Sequence, residues 1–538
     1  MKRKITILLM FLLFVVWAKA LDGKKGITLF TDRDLYISGE TLLLKVFVPS
    51  TELSGTVSVD LINHLGKKIL GIIKEVKNQQ ADGFIVLPDS LSSGCYLLKS
   101  SNILSNVVTI KELYISNRFN GLPLTNTALH PIGIVQSDEI ANPEIQVNGV
   151  EKQYKPRDKV KAGLQLTNNF LGQIDGDLMV KIAEVIPEFK TSTFYVETIG
   201  AQNRIVNHQG ILLEGTVSEQ RSSKPYKNAV VFLTIPDSLP GFQYFITGED
   251  GRFYFQIENY YGSIPVVIQC HAKDHALLKI KLNDQDSLKW AMPNFEPQPF
   301  PSGLRKRVER NTDAITFRKV FNQKEVTEQP SPTIKRDTYP FYGNPTKTVD
   351  PQLFVDLPDF SDISRELLPG VKFRTYNRVP SLQVLNMPMF NYFEDPPLVL
   401  FDGIPTEDLN MIKGLGSADI DKIEVINSER FFGDLSFQGV VAIYSSRADY
   451  SKISESDNLI KLNLDVIQPQ AILNITDVQS ESDPDFRQAL LWKPSVKPEQ
   501  TIPIEFQASD IQGTYKLSIC GKTKDGSVFN KELTFEVN

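Results

Sequence analysis

Apolar and polar positions alternate in short runs along most of the chain, and Gly, Pro, Asn and Asp separate one run from the next. A period of two with such punctuation predicts half-buried β-strands joined by tight turns. Residues 27–48 (ITLFTDRDLYISGETLLLKVFV) give a strand, a turn at Ser38-Gly39-Glu40, and a strand with Leu42, Leu44, Val46 and Val48 on one face. Residues 145–185 repeat the theme, with strand KAGLQLT, a turn over 168–176 and a strand over 177–184. Residues 213–269 hold short alternating strands about Lys224-Pro225 and an Asp250-Gly251 turn. Further on, 398–401 (LVLF) is a strand, Asp402-Gly403 a tight turn, and Pro405 re-enters an extended segment. A polar, helix-compatible stretch with Asp408 and 417–421 follows, then strands over 422–427 and 437–445, the second introduced by Gly433 and Gly439. Beyond Ser446, strands are predicted over 459–467, 502–506, 513–520 and 532–537, with Asp525-Gly526 turning between the last two.

Helical spacing is rarer. Residues 303–324 place Leu304, Val308, Ile315, Val320 and Phe321 among charges, and 360–373 read FSDISRELLPGVKF. Around the first of these, Pro293, Pro297, Pro299, Pro301, Pro330 and Pro332 break periodicity, so 286–350 reads as a partly extended linker with one helix. Its basic cluster Arg305-Lys306-Arg307 is either a docking surface or a solvated helix face. The fold class expected is mostly β and multidomain: tandem β-sandwiches plus a small α+β domain. The expected boundaries are 21–115, 140–200 and 210–285 for three sandwiches, 286–350 for the linker, 351–450 for the α+β domain and 458–538 for a terminal sandwich.

At 538 residues several domains are expected. A net charge of −6 offers nothing to offset phosphate repulsion, so no nucleic-acid partner is expected. The start of the chain has the form of a secretion signal over 1–20: Lys2-Arg3-Lys4, an apolar stretch over 5–17, and Ala18-Lys19-Ala20 as an A-x-A cleavage site. That stretch is short for a ~30 Å hydrocarbon core, and no cysteine follows it to carry a lipid. The mature chain is therefore expected to be exported to the periplasm, associated with the outer membrane and without a transmembrane segment of its own. Cys95, Cys270 and Cys520 are odd in number and far apart, each in a strand-like context, which reads as buried free thiols rather than a disulfide framework.

Four stretches resemble known families. Thr31, Asp32, Arg33, Tyr36, Gly39, Glu40 and Thr41, with 83–88 and Ser93-Gly94-Cys95-Tyr96 further on, resemble the macroglobulin MG2 domain; Ser38 stands where that family usually has proline. Tyr154, Pro156, Arg157 and Val160 resemble a second macroglobulin-like unit. Gly215, Val217, Pro225, Ala229, Val231, Asp250, Gly251, Phe253 and Phe255 resemble the carboxypeptidase regulatory-like domain, with Gly248 where threonine or aspartate is common. Residues 396–446, and less closely the chain back to Pro351, resemble the plug domain of TonB-dependent outer-membrane receptors. The regulatory-like module, a linker and then the plug-like segment resemble the order seen in many outer-membrane receptors of Bacteroidetes-type bacteria. The resemblance implies β-sandwich folds, a non-catalytic regulatory-like module and a plug.

Candidate chemistry is thin. A receptor barrel needs about twenty-two strands of roughly ten residues, whereas about ninety residues follow Ser446. The expectation is thus a plug-like domain separate from any pore it serves. The thioester motif C-G-E-Q of macroglobulin protease traps is absent, since Cys520-Gly521 continues Lys522-Thr523. His271, Asp274 and His275 have helical metal spacing but sit in a strand-and-turn context without an HExxH glutamate. No nucleophile elbow, P-loop or dinucleotide fingerprint occurs. The chain is not expected to be an enzyme: no catalytic, cofactor-binding or metal residue is assigned and no cofactor is expected.

The function expected is protein–protein interaction, the plug-like domain docking with or gating an outer-membrane barrel or a secretion translocon. Recognition is assigned to the loops around Asp402-Gly403 and 430–436, that is Asp402, Gly403, Arg430, Phe431, Phe432 and Gly433. The pair Phe431-Phe432 is either an exposed anchor or core packing. The alternative is a periplasmic or cell-surface scaffold of adhesin-like type. A macroglobulin-like inhibitor is a distant third.

Overall fold

The computed structural model describes residues 27–49, 55–102, 107–120, 127–132, 144–186, 193–199, 210–237, 239–272, 276–283, 289–290, 294–299, 303–320, 326–328, 339–447, 450–473 and 484–538. The signal-like residues 1–20 lie outside them. Contacts divide the chain into two compact units, 1–210 with 288–331 and 466–538, and 211–287 with 332–465. Among the described residues no helix is long and apolar enough to cross a membrane. The architecture is mostly β and multidomain, built of small sheets packed as sandwiches.

The first unit opens with a sandwich. One sheet holds Thr28–Thr31, Thr41–Phe47 and Gln80–Val86; the other runs from Lys68–Glu75 through Thr56–Asn63, Gly94–Ser101 and Val107–Ser116 to Thr193–Ile199. Leu42, Leu44, Val46 and Val48 face its core, as the alternation predicts. Asp32, Arg33, Tyr36 and Glu40 form a buried polar knot. Asp32 accepts from the Leu43 N–H (2.9 Å) and the Tyr36 hydroxyl (2.7 Å), and Arg33 bridges Asp32 (2.9 Å) and Glu40 (3.0 Å). Glu40 also accepts from the Ile37 N–H (2.7 Å) and from Arg318 (2.6 Å). Buried charges persist only when paired and hydrogen-bonded in this way.

The second sandwich corrects the expected boundaries. Lys159–Leu166 lies between Ile145–Asn148 and Thr501–Gln507, and Leu178–Glu184 lies between Ala489–Val496 and Gly513–Lys522. The segments expected as separate sandwiches at 140–200 and 458–538 therefore build one body with one core, in which Leu164, Val180 and Ile182 pack with Ile504, Leu517 and Phe535. Neither segment has enough strands to cover two faces alone. The motif residues of the first half are anchored by the second. Tyr154 packs edge-on against Phe506 and Phe535, and Arg157 grips Asp510 through two bonds of 2.6 Å. Two strands inside those boundaries belong elsewhere: Thr193–Ile199 extends the first sandwich, and Leu459–Asp465 joins the second unit.

The expected linker is also more ordered than its prolines imply. Asn294–Pro299 pairs with Thr127–Ile132, and Val326–Glu328 with Ala471–Leu473. The helix Leu304–Val320 buries Leu304, Val308 and Ile315 against Leu35, Ile37 and Tyr114 of the first unit. Arg305 and Lys306 face solvent, whereas Arg307 pairs with Glu184.

In the second unit, Arg252–Ile257, Ile211–Glu219 and Leu278–Leu282 face a sheet of Gly241–Ile246, Val230–Ile235, Ser263–His271 and Leu459–Asp465. Gly215 is required because a Cβ there would overlap the Phe253 ring. The same unit holds an α+β body, whose main sheet is ordered Lys347–Val349, Ile420–Phe432, Leu435–Ser445, Leu398–Phe401 and Ile404–Pro405. Leu398–Phe401 runs parallel to Leu435–Ser445. The helix Phe360–Leu367, capped by Asp359, and a three-stranded sheet (Val371–Tyr376, Val379–Asn386, Asn391–Tyr392) complete it. Its core joins Phe360, Ile363, Phe373, Val399, Phe401, Ile423 and Val441.

Candidate functional site

The strand predicted over 422–427 extends across Ile420–Phe432, and the one predicted from 437 begins at Leu435. Arg430, Phe431 and Phe432 are therefore strand residues, not loop. Phe432 pairs with Leu435, so Gly433-Asp434 alone forms the turn. The continuation was hidden by a bulge: Gly439, at φ +88°, opposes both Asn427 and Ser428 and shifts the alternation by one.

Asp402 (φ +49°) and Gly403 (φ +82°) form a two-residue turn of the left-handed kind that hairpins favour. The Asp402 carboxylate accepts from the backbone N–H and the hydroxyl of Ser445, both at 2.7 Å. It is buried and serves to lock the end of the sheet. A Cβ on Gly403 would overlap the Pro240 ring, and a Cβ on Gly433 would overlap the Tyr244 hydroxyl. The Tyr244 hydroxyl also accepts from the Asp434 N–H (2.8 Å). Both turns thus rest on the Val230–Ile235/Gly241–Ile246 hairpin of the same unit.

That hairpin lies among the short strands expected over 213–269, and its aromatic-rich GFQYFI is the feature that marks it as a contact surface. Phe432 lies within ring-contact distance of Phe242 (5.6 Å), Tyr244 (5.4 Å) and Phe341 (5.1 Å), and Phe242 stacks on Phe341 at 3.8 Å. The two phenylalanines divide the readings between them: Phe432 packs, and Phe431 projects with 70% of its surface exposed. Among the described residues the buried Arg430 Nε has no hydrogen-bond partner.

Next to this aromatic cluster, Tyr342 packs edge-on against Phe341 (5.3 Å), donates to Glu424 (2.5 Å) and sits 2.7 Å from the Tyr444 hydroxyl. Burial, then Tyr444 and Glu424, push its phenol far up, so it remains a neutral donor. His271 Nδ1 lies 2.9 Å from Glu407, while Asp274 and His275 fall outside the described residues. Among the described residues no group of three His, Cys, Asp or Glu side chains could hold a metal. Cys95, Cys270 and Cys520 are free and buried. Burial pushes the Cys270 and Cys520 thiols up to about 12, and burial with Glu112 pushes Cys95 higher still.

Pairing, cores and sheet order define the class: a mostly β, multidomain chain of sandwiches that carries one small α+β body. No protein-family model matches it, and no curated protein matches it in sequence. Solved structures similar to it include Salmonella alpha-2-macroglobulin reacted with methylamine, at 10% identity over 95% of this chain and 39% of that one, with a TM-score of 0.22. Trypsin-activated alpha-2-macroglobulin from Escherichia coli aligns at 9% identity over 95% and 41%, with a TM-score of 0.23. A tetra-tandem repeat from the extending region of a large adhesion protein aligns at 9% identity over 95% and 98%, with a TM-score of 0.11. The chain spans about two fifths of the length of these two macroglobulins.

Proposed function

We propose that the chain is a non-catalytic exported interaction protein of the periplasm whose 351–450 body docks with or gates an outer-membrane barrel or secretion translocon. The observation that supports this reading is where its exposed apolar side chains lie. Phe431, Phe354, Val355, Met389 and Phe390 all project from that body. Unpaired surface aromatics and methionines are what a protein interface buries at its centre. The resemblance of 396–446 to receptor plugs supplies the partner class, and the sandwiches act as the arm.

The test is recovery of partners from detergent-solubilised outer membrane with the tagged full chain. One barrel protein is expected, lost on Phe431→Ser with the melting temperature unchanged. Equal recovery with the variant, or no barrel at all, overturns the docking reading. A second reading, a structural scaffold of adhesin-like type, is favoured by the interlocked sandwich and by the helix that ties Glu40 to Glu184. It expects a protein that brings down no membrane partner.

A further inference from the structure

Lys522 ends the strand Gly513–Lys522, and only 2% of its side chain is exposed. Three polar groups meet its amine. It donates to the Val48 carbonyl (3.3 Å), pairs with the Asp175 carboxylate (3.1 Å) and donates to the side-chain carbonyl of Gln79. Gln79 belongs to the first sandwich and Lys522 to the second, both within the first compact unit. The buried Lys45, Lys74 and Lys181 donate instead to the Ser495 hydroxyl (3.0 Å), the Gln468 and Pro469 carbonyls (3.2 Å each) and the Thr31 carbonyl (2.7 Å).

The backbone holds Gln79 and Asp175 to this meeting. Lys77 and Gln80 exchange two backbone hydrogen bonds of 2.9 Å about a two-residue turn, with Asn78 at φ +50° and Gln79 at φ +60°. Turns of this kind favour glycine at the second place. A longer side chain kept there against backbone strain is a mark of functional positions. The Gln79 backbone carbonyl accepts from the Val48 N–H (2.8 Å), which fixes the turn, and the Asp175 N–H donates to the Lys522 carbonyl (2.8 Å).

An amine, a primary amide and a carboxylate so placed are the two reactants and the proton carrier for amide aminolysis. We propose that Lys522 and Gln79 join in an isopeptide bond. Asp175 takes a proton from the Lys522 ammonium, and Nζ attacks Gln79 Cδ. The protonated Asp175 then gives a proton to Gln79 Nε2, the Cδ–Nε2 bond breaks and ammonia leaves. One C–N bond forms and one breaks: an ammonium and a primary amide become a secondary amide and an ammonium ion, with no oxidant or reductant. Fixed proximity replaces a bimolecular encounter, and burial of Lys522 keeps water from competing for the carbon. Asp175, with 32% of its side chain exposed, carries the proton at the rim of the site. The bond ties the first sandwich to the second and rests on neither the docking nor the scaffold reading.

Mass spectrometry of the folded full chain tests it. Trypsin should release 78–99 linked to 517–524, one ammonia lighter than the two peptides summed, because an acylated Lys522 is no longer a cleavage site. The digest is reduced and alkylated, so that Cys95 and Cys520 in these same peptides cannot join them. Fragment ions should place the link on Gln79 and not on the adjacent Gln80. Lys522→Arg should abolish the link, and Asp175→Asn should slow its formation about 100-fold or more. A wild-type chain that yields only unlinked peptides after prolonged incubation at neutral pH overturns the proposal and leaves Lys522 a hydrogen-bonded structural lysine. A link that forms equally fast in Asp175→Asn overturns the role given to the carboxylate.

Discussion

Single residues here are constrained by charge burial and by backbone geometry. Burial raises the Glu40 carboxyl pKa, but Arg33 and Arg318 beside it outweigh this and hold it below its ordinary range. A lowered carboxyl pKa stabilises the fold above the unfolded value of about 4.3, and the contribution is lost as pH falls through the folded value. Glu40→Gln should cost about 3–5 kcal/mol near neutral pH, the penalty for orphaning a buried partner. In urea titrations it should also flatten the loss of stability below about pH 4. At Gly403 and Gly433, alanine meets both a positive φ and an occupied space, so each substitution should cost about 1–3 kcal/mol. The three thiols should be silent to a thiol reagent at pH 8 in the native state and react once urea opens the chain. Rapid native labelling would refute their burial.

Elements were legible where periodicity is local. The strands over 398–401, the Asp402-Gly403 turn and the alternation of Leu42, Leu44 and Val46 follow from the sequence because each needs only its neighbours. The strand through Arg430–Phe432 was missed because the bulge at Gly439 breaks the period of two. The 304–320 helix was legible, but its docking was not: Arg310 reaches Glu184 at 2.6 Å, and nothing in the sequence pairs residues so distant. Likewise Phe432 could be assigned to core or surface only once the hairpin holding Phe242 and Tyr244 was placed against it. Phe432→Ala should therefore lower stability by about 2 kcal/mol, less than a fully buried phenylalanine costs. Phe431→Ser should leave it unchanged. Thermal melts of the pair decide the assignment, and equal effects would reject it.

The whole molecule departs most from its sequence-derived plan in the sandwich shared by 145–184 and 489–537. Alternation shows that each half is β but carries no record of partnership across more than three hundred residues. Deleting 484–538 should strip hydrogen-exchange protection from Lys159–Leu166 and Leu178–Glu184 while Ile211–Glu219 and Ile420–Phe432 keep theirs. Protection retained in the first half would mean that it folds unaided. The arrangement also has a consequence in time. Synthesis proceeds at roughly 5–20 residues per second, so the strand ending at Leu166 waits on the order of 20–70 s for the strand that begins at Thr501. During that wait its apolar face is open to chaperones, proteases and neighbouring chains. Until the strands from Ala489 onward are in place, that face of the first half stays uncovered in whatever compartment the chain folds.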